Sequence, residues 1–233
     1  MKKPFPLVAA GGLLLGLSAN AQAEEIGAGW SLSSNVAITS NYLFRGFSES
    51  DEEPAVQGGF DLDHASGVYV GTWASSLQPQ DARGPLELDF YGGFGFDLTP
   101  DIWGDVGLTF YTYPDDSDSN TVEAYAGAGT AFGEVEADFY VHVSDDYFDE
   151  DESSVYLETN WMTPLAAGFY AMAHLGYLVI DSDTNLDGAD AALGVGYEYG
   201  TLDLSLVGTY NSSDAADEDD DETQVAFTVS RSF

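Results

Sequence analysis

The sequence predicts an all-β chain, an up-and-down antiparallel β-barrel that crosses a membrane with about twelve strands. Three observations predict it. Apolar residues recur at alternate positions over segments of about ten residues, the period of a strand with one greasy face. The connections between segments alternate between short turns and long loops, and the long loops carry more than half of the 41 Asp and Glu residues. Alternating connections put every long loop at one end of the sheet, and an even strand number returns both termini to the other. Closure also removes the unpaired edges of so large a sheet.

The chain opens with Lys2 and Lys3, an apolar stretch from Leu7 to Leu17, and the small-x-small site Ala21-Gln22-Ala23 before Glu24. This is the pattern of a secretory signal peptide, residues 1–23, cleaved ahead of a single barrel domain, residues 24–233. Its apolar core is shorter than the roughly 18 residues needed to span a bilayer. Cleavage leaves Arg45, Arg83 and Arg231 facing 41 carboxylates.

Strands are expected at 30–42, 55–64, 68–77, 86–96, 102–113, 121–130, 134–143, 154–162, 168–179, 189–199, 201–210 and 223–233. The clearest is Leu86 to Asp97, where Leu86, Leu88, Phe90, Phe94 and Phe96 alternate with Glu87, Asp89, Tyr91 and Asp97. A helix would mix those two sets. Residues 165–180 are apolar enough to suggest a helix, but His174 and glycines at 168 and 176 favour a strand after a turn. Turns are expected at 65–67, 98–101, 131–133, 163–167 and 200. Loops are expected at 43–54, 78–85, 114–120, 144–153, 180–188 and 211–222.

Outward aromatics would form girdles at the two water–lipid boundaries. Phe94, Phe96, Trp161, Phe169, Tyr197 and Tyr199 lie on the turn side, and Tyr42, Phe110, Tyr177 and Tyr210 on the loop side. Mid-strand glycines at 92, 93, 95, 127, 129, 194 and 196 would let aromatics lie over bare backbone. The last strand ends Val225, Phe227, Val229, Arg231, Phe233 on one face. Phe227, Val229 and Phe233 there resemble the terminal signal read by the outer-membrane barrel-assembly machinery. Arg231 departs from that pattern, with its stem in lipid and its charge in water.

The face opposite the lipid is acidic. Asp61, Glu87, Asp89, Asp105, Glu123, Glu136, Asp138, Glu158, Asp190, Glu198 and Asp203 would line the lumen, with Arg231 as the one strand cation that could oppose them. Unpaired carboxylates must stay hydrated, attract cations or take up protons, because burying them alone is costly. The expectation is a narrow diffusion channel that prefers small cations or neutral solutes. A non-conducting structural or surface-binding barrel with ion-binding acidic loops is the alternative. Arg45 and Arg83 in the loops could fold inward, pair with lumen acids and constrict the path, or form exposed ion pairs of little consequence.

Composition excludes much else. A net charge of -36 repels nucleic acid, and the absence of cysteine removes disulfides, thiol catalysis and zinc ribbons. The acidic runs Asp145 to Glu152 and Asp214 to Glu222 lack the spacing of a calcium loop. No catalytic pair, metal site or cofactor fingerprint is expected. His142 near Asp145 and Asp146 is the nearest approach to a catalytic pair, and a solvated rim histidine is the plainer reading.

The run from Ser34 to Ser48, centred on Asn41-Tyr42-Leu43-Phe44-Arg45-Gly46-Phe47, and the runs Pro54 to Asp61 and Gly67 to Ser75, resemble the TorF family of outer-membrane porins. The resemblance implies a bacterial outer-membrane location and a transport role, without an assigned solute or catalytic residue. The Arg45-Gly46 pair belongs to the shared motif.

Overall fold

The computed structural model describes residues 23–78, 82–148, 150, 152–181, 186–214 and 222–233. The signal-peptide reading therefore falls outside the described residues, apart from Ala23. Among the described residues fifteen strands form in chain order: β1 (Glu24–Gly27), β2 (Trp30–Thr39), β3 (Leu43–Phe44), β4 (Phe47–Ser48), β5 (Ala55–His64), β6 (Val68–Ser76), β7 (Leu86–Asp97), β8 (Ile102–Thr112), β9 (Thr121–Phe132), β10 (Val135–Ser144), β11 (Ser154–Pro164), β12 (Phe169–Ile180), β13 (Gly188–Tyr199), β14 (Leu202–Asn211) and β15 (Thr223–Ser232). Strands β2 and β5 to β15 pair antiparallel in sequence order, and β15 pairs back onto β2, which closes a twelve-stranded barrel. The seam is sealed at its turn end by Phe233, whose N–H donates to the Ser34 carbonyl at 2.8 Å.

Each barrel strand matches an expected one within about three residues, the usual uncertainty of strand ends. The largest difference is at β2, which stops at Thr39 instead of residue 42. There the Thr39 hydroxyl donates to the Asn41 carbonyl at 2.8 Å and turns the chain inward. The 165–180 segment is a strand, preceded by a single 3-10 turn at Ala166–Gly168. Among the described residues no helix is long and apolar enough to cross a membrane.

The two faces separate as the alternation dictates. Leu193, Phe60, Val225 and Phe227 project outward with about half or more of their surface exposed. Phe94, Phe169, Tyr199, Phe110, Tyr177 and Tyr210 also face out near the strand ends, as girdles require. Tyr42 does not: it is 2% exposed and lies inside the barrel. Its strand was expected to continue, and the inward turn after Thr39 carries the ring with it. Arg231 points outward, its guanidinium 4.5 Å from the centre of the Phe233 ring, so it opposes none of the inward acids.

Candidate functional site: an inward hairpin on an acidic lumen

The loop between β2 and β5 contains a small hairpin, β3 and β4, that the alternation does not announce. Its turn is Arg45-Gly46, with φ of 49° and 85°. Two positive φ values in succession are what a tight hairpin of the favoured twist needs. Arg45 carries a side chain in a conformation that suits glycine, a strain that must be compensated by its contacts. The hairpin enters the barrel mouth instead of standing above it. A Cβ at Gly46 would lie 2.9 Å from Asn211 Cβ and 3.1 Å from Asp190 Cβ, so only glycine lets the tip meet β13 and β14. The Asn211 amide donates to the Arg45 carbonyl at 2.9 Å. At its base, Ser48 Oγ donates to Asn41 Oδ1 at 2.7 Å, and Ser50 Oγ accepts from the Tyr42 N–H at 2.9 Å.

The Arg45 guanidinium reaches across to β9. One nitrogen, Nη2, donates to both oxygens of Glu123, at 2.6 and 2.9 Å, and Nη1 donates to the Tyr147 hydroxyl at 3.2 Å. The group stacks 4.1 Å from the Tyr156 ring centre and 4.7 Å from Phe44. Only 5% of the Arg45 side chain and 1% of the Glu123 side chain remain exposed. Burial alone would lower the guanidinium pKa, but the Glu123 carboxylate beside it holds it well above the ordinary value. Burial also pushes the Tyr147 hydroxyl up to about 12.

From Glu123 a chain of acids and imidazoles runs around the wall. His142 lies 3.7 Å from Glu123 and 2.8 Å from Glu158; His174 lies 3.6 Å from Glu158 and 2.8 Å from Asp190. Asn160 donates to Asp138 at 2.9 Å and lies 2.7 Å from His174. His142 is thus a buried member of this belt whose partner is Glu158, not a solvated rim residue beside Asp145 and Asp146. Parts of both acidic runs, residues 149, 151 and 215–221, lie outside the described residues.

Several inward acids meet tyrosines. Tyr42 donates to Glu87 at 3.3 Å, Tyr69 to Asp105 at 2.9 Å, Tyr111 to Glu123 at 3.0 Å, Tyr156 to Asp190 at 3.0 Å and Tyr170 to Asp203 at 2.7 Å; Tyr91 donates to Asp61. Several inward tyrosines occupy the space that a side chain would fill at a glycine of the adjacent strand: Tyr69 at Gly93, Tyr91 at Gly71, Tyr140 at Gly127, Tyr156 at Gly176 and Tyr170 at Gly196. The sequence held the signal in its i, i+2 spacing, where Asp89 and Tyr91, Glu123 and Tyr125, Asp138 and Tyr140, or Tyr156 and Glu158 share one face. Asp89 is wholly buried with neither carboxylate oxygen hydrogen-bonded.

All eleven acids expected on the lumen face have inward parity. Glu136 and Glu198 are exposed at the turn end, Asp138 and Glu158 are half-buried farther in, and Glu87, Asp89, Glu123 and Asp190 are buried near the hairpin. Arg83 lies on the loops. It donates to Glu49 at 2.7 Å and packs on Tyr113 at 5.0 Å, fastening one loop to another.

The fold resembles two solved structures of the KdgM porin. One, of the porin alone, has a TM-score of 0.61 at 7% identity and covers 86% of this chain and 98% of that one. The other, in complex with disordered oligogalacturonate, has a TM-score of 0.59 at 7% identity and covers 87% and 97%. No protein of curated function matches by sequence. A family model described as a bacterial protein of unknown function, Gcw_chp, matches residues 23–233, which takes in every described residue, and the protein belongs to that family.

Proposed function

We propose that the chain is an outer-membrane channel of the TorF type, exported by a cleaved signal peptide and inserted by the barrel-assembly machinery. It forms a narrow, cation-preferring path for small solutes, with Arg45 as its constriction. The observation that carries this reading is the inward face, where carboxylates are matched by tyrosine hydroxyls and where Asp89 has no donor at all. Such a surface draws cations and repels anions. The oligogalacturonate in the KdgM complex is a polyanion, which this lumen would reject. A shut, non-conducting barrel is the second reading, favoured by the burial of Tyr42, Phe44 and Arg45 within the mouth.

Single-channel current of the refolded protein, with a reversal potential across a potassium chloride gradient, separates the two. Discrete cation-selective steps are expected, and Glu136→Gln with Asp138→Asn should move the reversal potential toward zero. Silence from an inserted barrel overturns the channel. The membrane placement has its own test. Leu193→Arg, on the outward face in mid-strand, should cost about 2–4 kcal/mol in urea unfolding from lipid vesicles. A cost near zero would mean that this face does not meet lipid.

A further inference from the structure

Arg45 is a cation held in a pocket built almost wholly by other parts of the chain. Both Glu123 oxygens accept from one guanidinium nitrogen, Tyr147 accepts from another, and Tyr156 provides a face 4.1 Å away. Tyr111 holds Glu123 in place with a 3.0 Å hydrogen bond. These walls belong to β8, β9, β11 and the loop after β10, and none of them is part of the hairpin. A carboxylate with a planar aromatic face is the chemistry that recognises a guanidinium.

We propose that this pocket is a receptor for guanidinium-bearing solutes, and that Arg45 occupies it as an internal stand-in for them. A solute carrying that group would displace Arg45, take its contacts with Glu123, Tyr147 and Tyr156, and so enter the lumen from the loop end as the hairpin withdraws. The passage of such a solute rests on the channel reading; its binding does not.

The test uses Arg45→Gly in the full barrel, since glycine is unstrained at the positive φ of this position. Methylguanidinium chloride is the probe and methylurea, its neutral near-isostere, the control. Methylguanidinium should bind the variant about tenfold more tightly than methylurea in calorimetric titration, and adding Glu123→Gln should remove that advantage. Equal binding of the two probes, or an advantage that survives Glu123→Gln, overturns the proposal. In a bilayer the same probe should block current through Arg45→Gly at concentrations where methylurea does not. A barrel that binds methylguanidinium selectively yet carries no current ends the channel reading and leaves the receptor standing. Should Arg45→Gly fail to refold, Arg45→Lys keeps the charge without the fork, and methylguanidinium should bind it at least several-fold more tightly than methylammonium does. No difference between them there would overturn the proposal equally.

Discussion

Glu123→Ala should expel the hairpin from the barrel mouth. The change leaves the Arg45 guanidinium buried without its carboxylate, a loss of about 3–5 kcal/mol when one partner of a buried pair is removed. Water is close by, and withdrawal of the hairpin is the cheapest way to rehydrate the charge. Trypsin reads this directly, because the basic residues after Lys3 are Arg45, Arg83 and Arg231. In the folded protein Arg45 is 8% exposed and should resist cleavage. In Glu123→Ala a new cut after Arg45 should appear, together with a larger mean conductance. Combining Arg45→Gly with Glu123→Ala removes both charges and should recover most of the lost stability. An Arg45 that stays protected in Glu123→Ala would show that the ion pair does not hold the hairpin.

Gly127→Ala should destabilise the barrel strongly for so small a change. Gly127 on β9 is paired with Tyr140 on β10, and the new methyl would overlap ring atoms close to the Tyr140 Cβ, which cannot swing clear. Overpacking of this kind costs about 1–3 kcal/mol. The cost should nearly vanish in a Tyr140→Ala background, a coupling measurable by a double-mutant cycle in urea. By contrast, Gly200 sits in a turn where a Cβ meets nothing within 4 Å, and there the positive φ of 66° alone opposes substitution. If Gly127→Ala cost as much without the Tyr140 ring as with it, the ring-on-glycine seat would not be the cause.

The barrel was legible because alternation is a local signal repeated twelve times. Leu86 to Asp97 states its two faces outright, and Val135 to Ser144 does the same. The inward parity of Glu87, Glu123 or Asp190 followed from that alone. What period two cannot carry is the path of the chain once it leaves a strand. Tyr42 was read as an outward girdle residue because nothing in Asn41-Tyr42-Leu43 says that Thr39 will turn the backbone inward. Arg45 was marked as a candidate by rarity, but its partner lies 78 positions away and only the closed barrel brings Glu123 opposite it. Arg83 was equally rare and ended on Glu49, a loop neighbour. The i, i+2 spacing of Tyr and acid puts Tyr91, Tyr140 and Tyr156 on the acidic face, but which carboxylate each inward hydroxyl meets, Asp190 for Tyr156 or Asp203 for Tyr170, is set only by the closed barrel.

The hairpin also orders events in time. It follows the first barrel strand, so it is among the earliest segments made, yet its anchors are Glu123 on β9, Asp190 on β13 and Asn211 on β14. Contacts so distant along the chain form late, since the intervening segment must be arranged before they gain anything. The Asn211 to Arg45 bond spans 166 positions and can exist only when nearly every strand is in place. Burial of Arg45 is therefore a clock for assembly: a chain whose arginine is shut has finished its barrel.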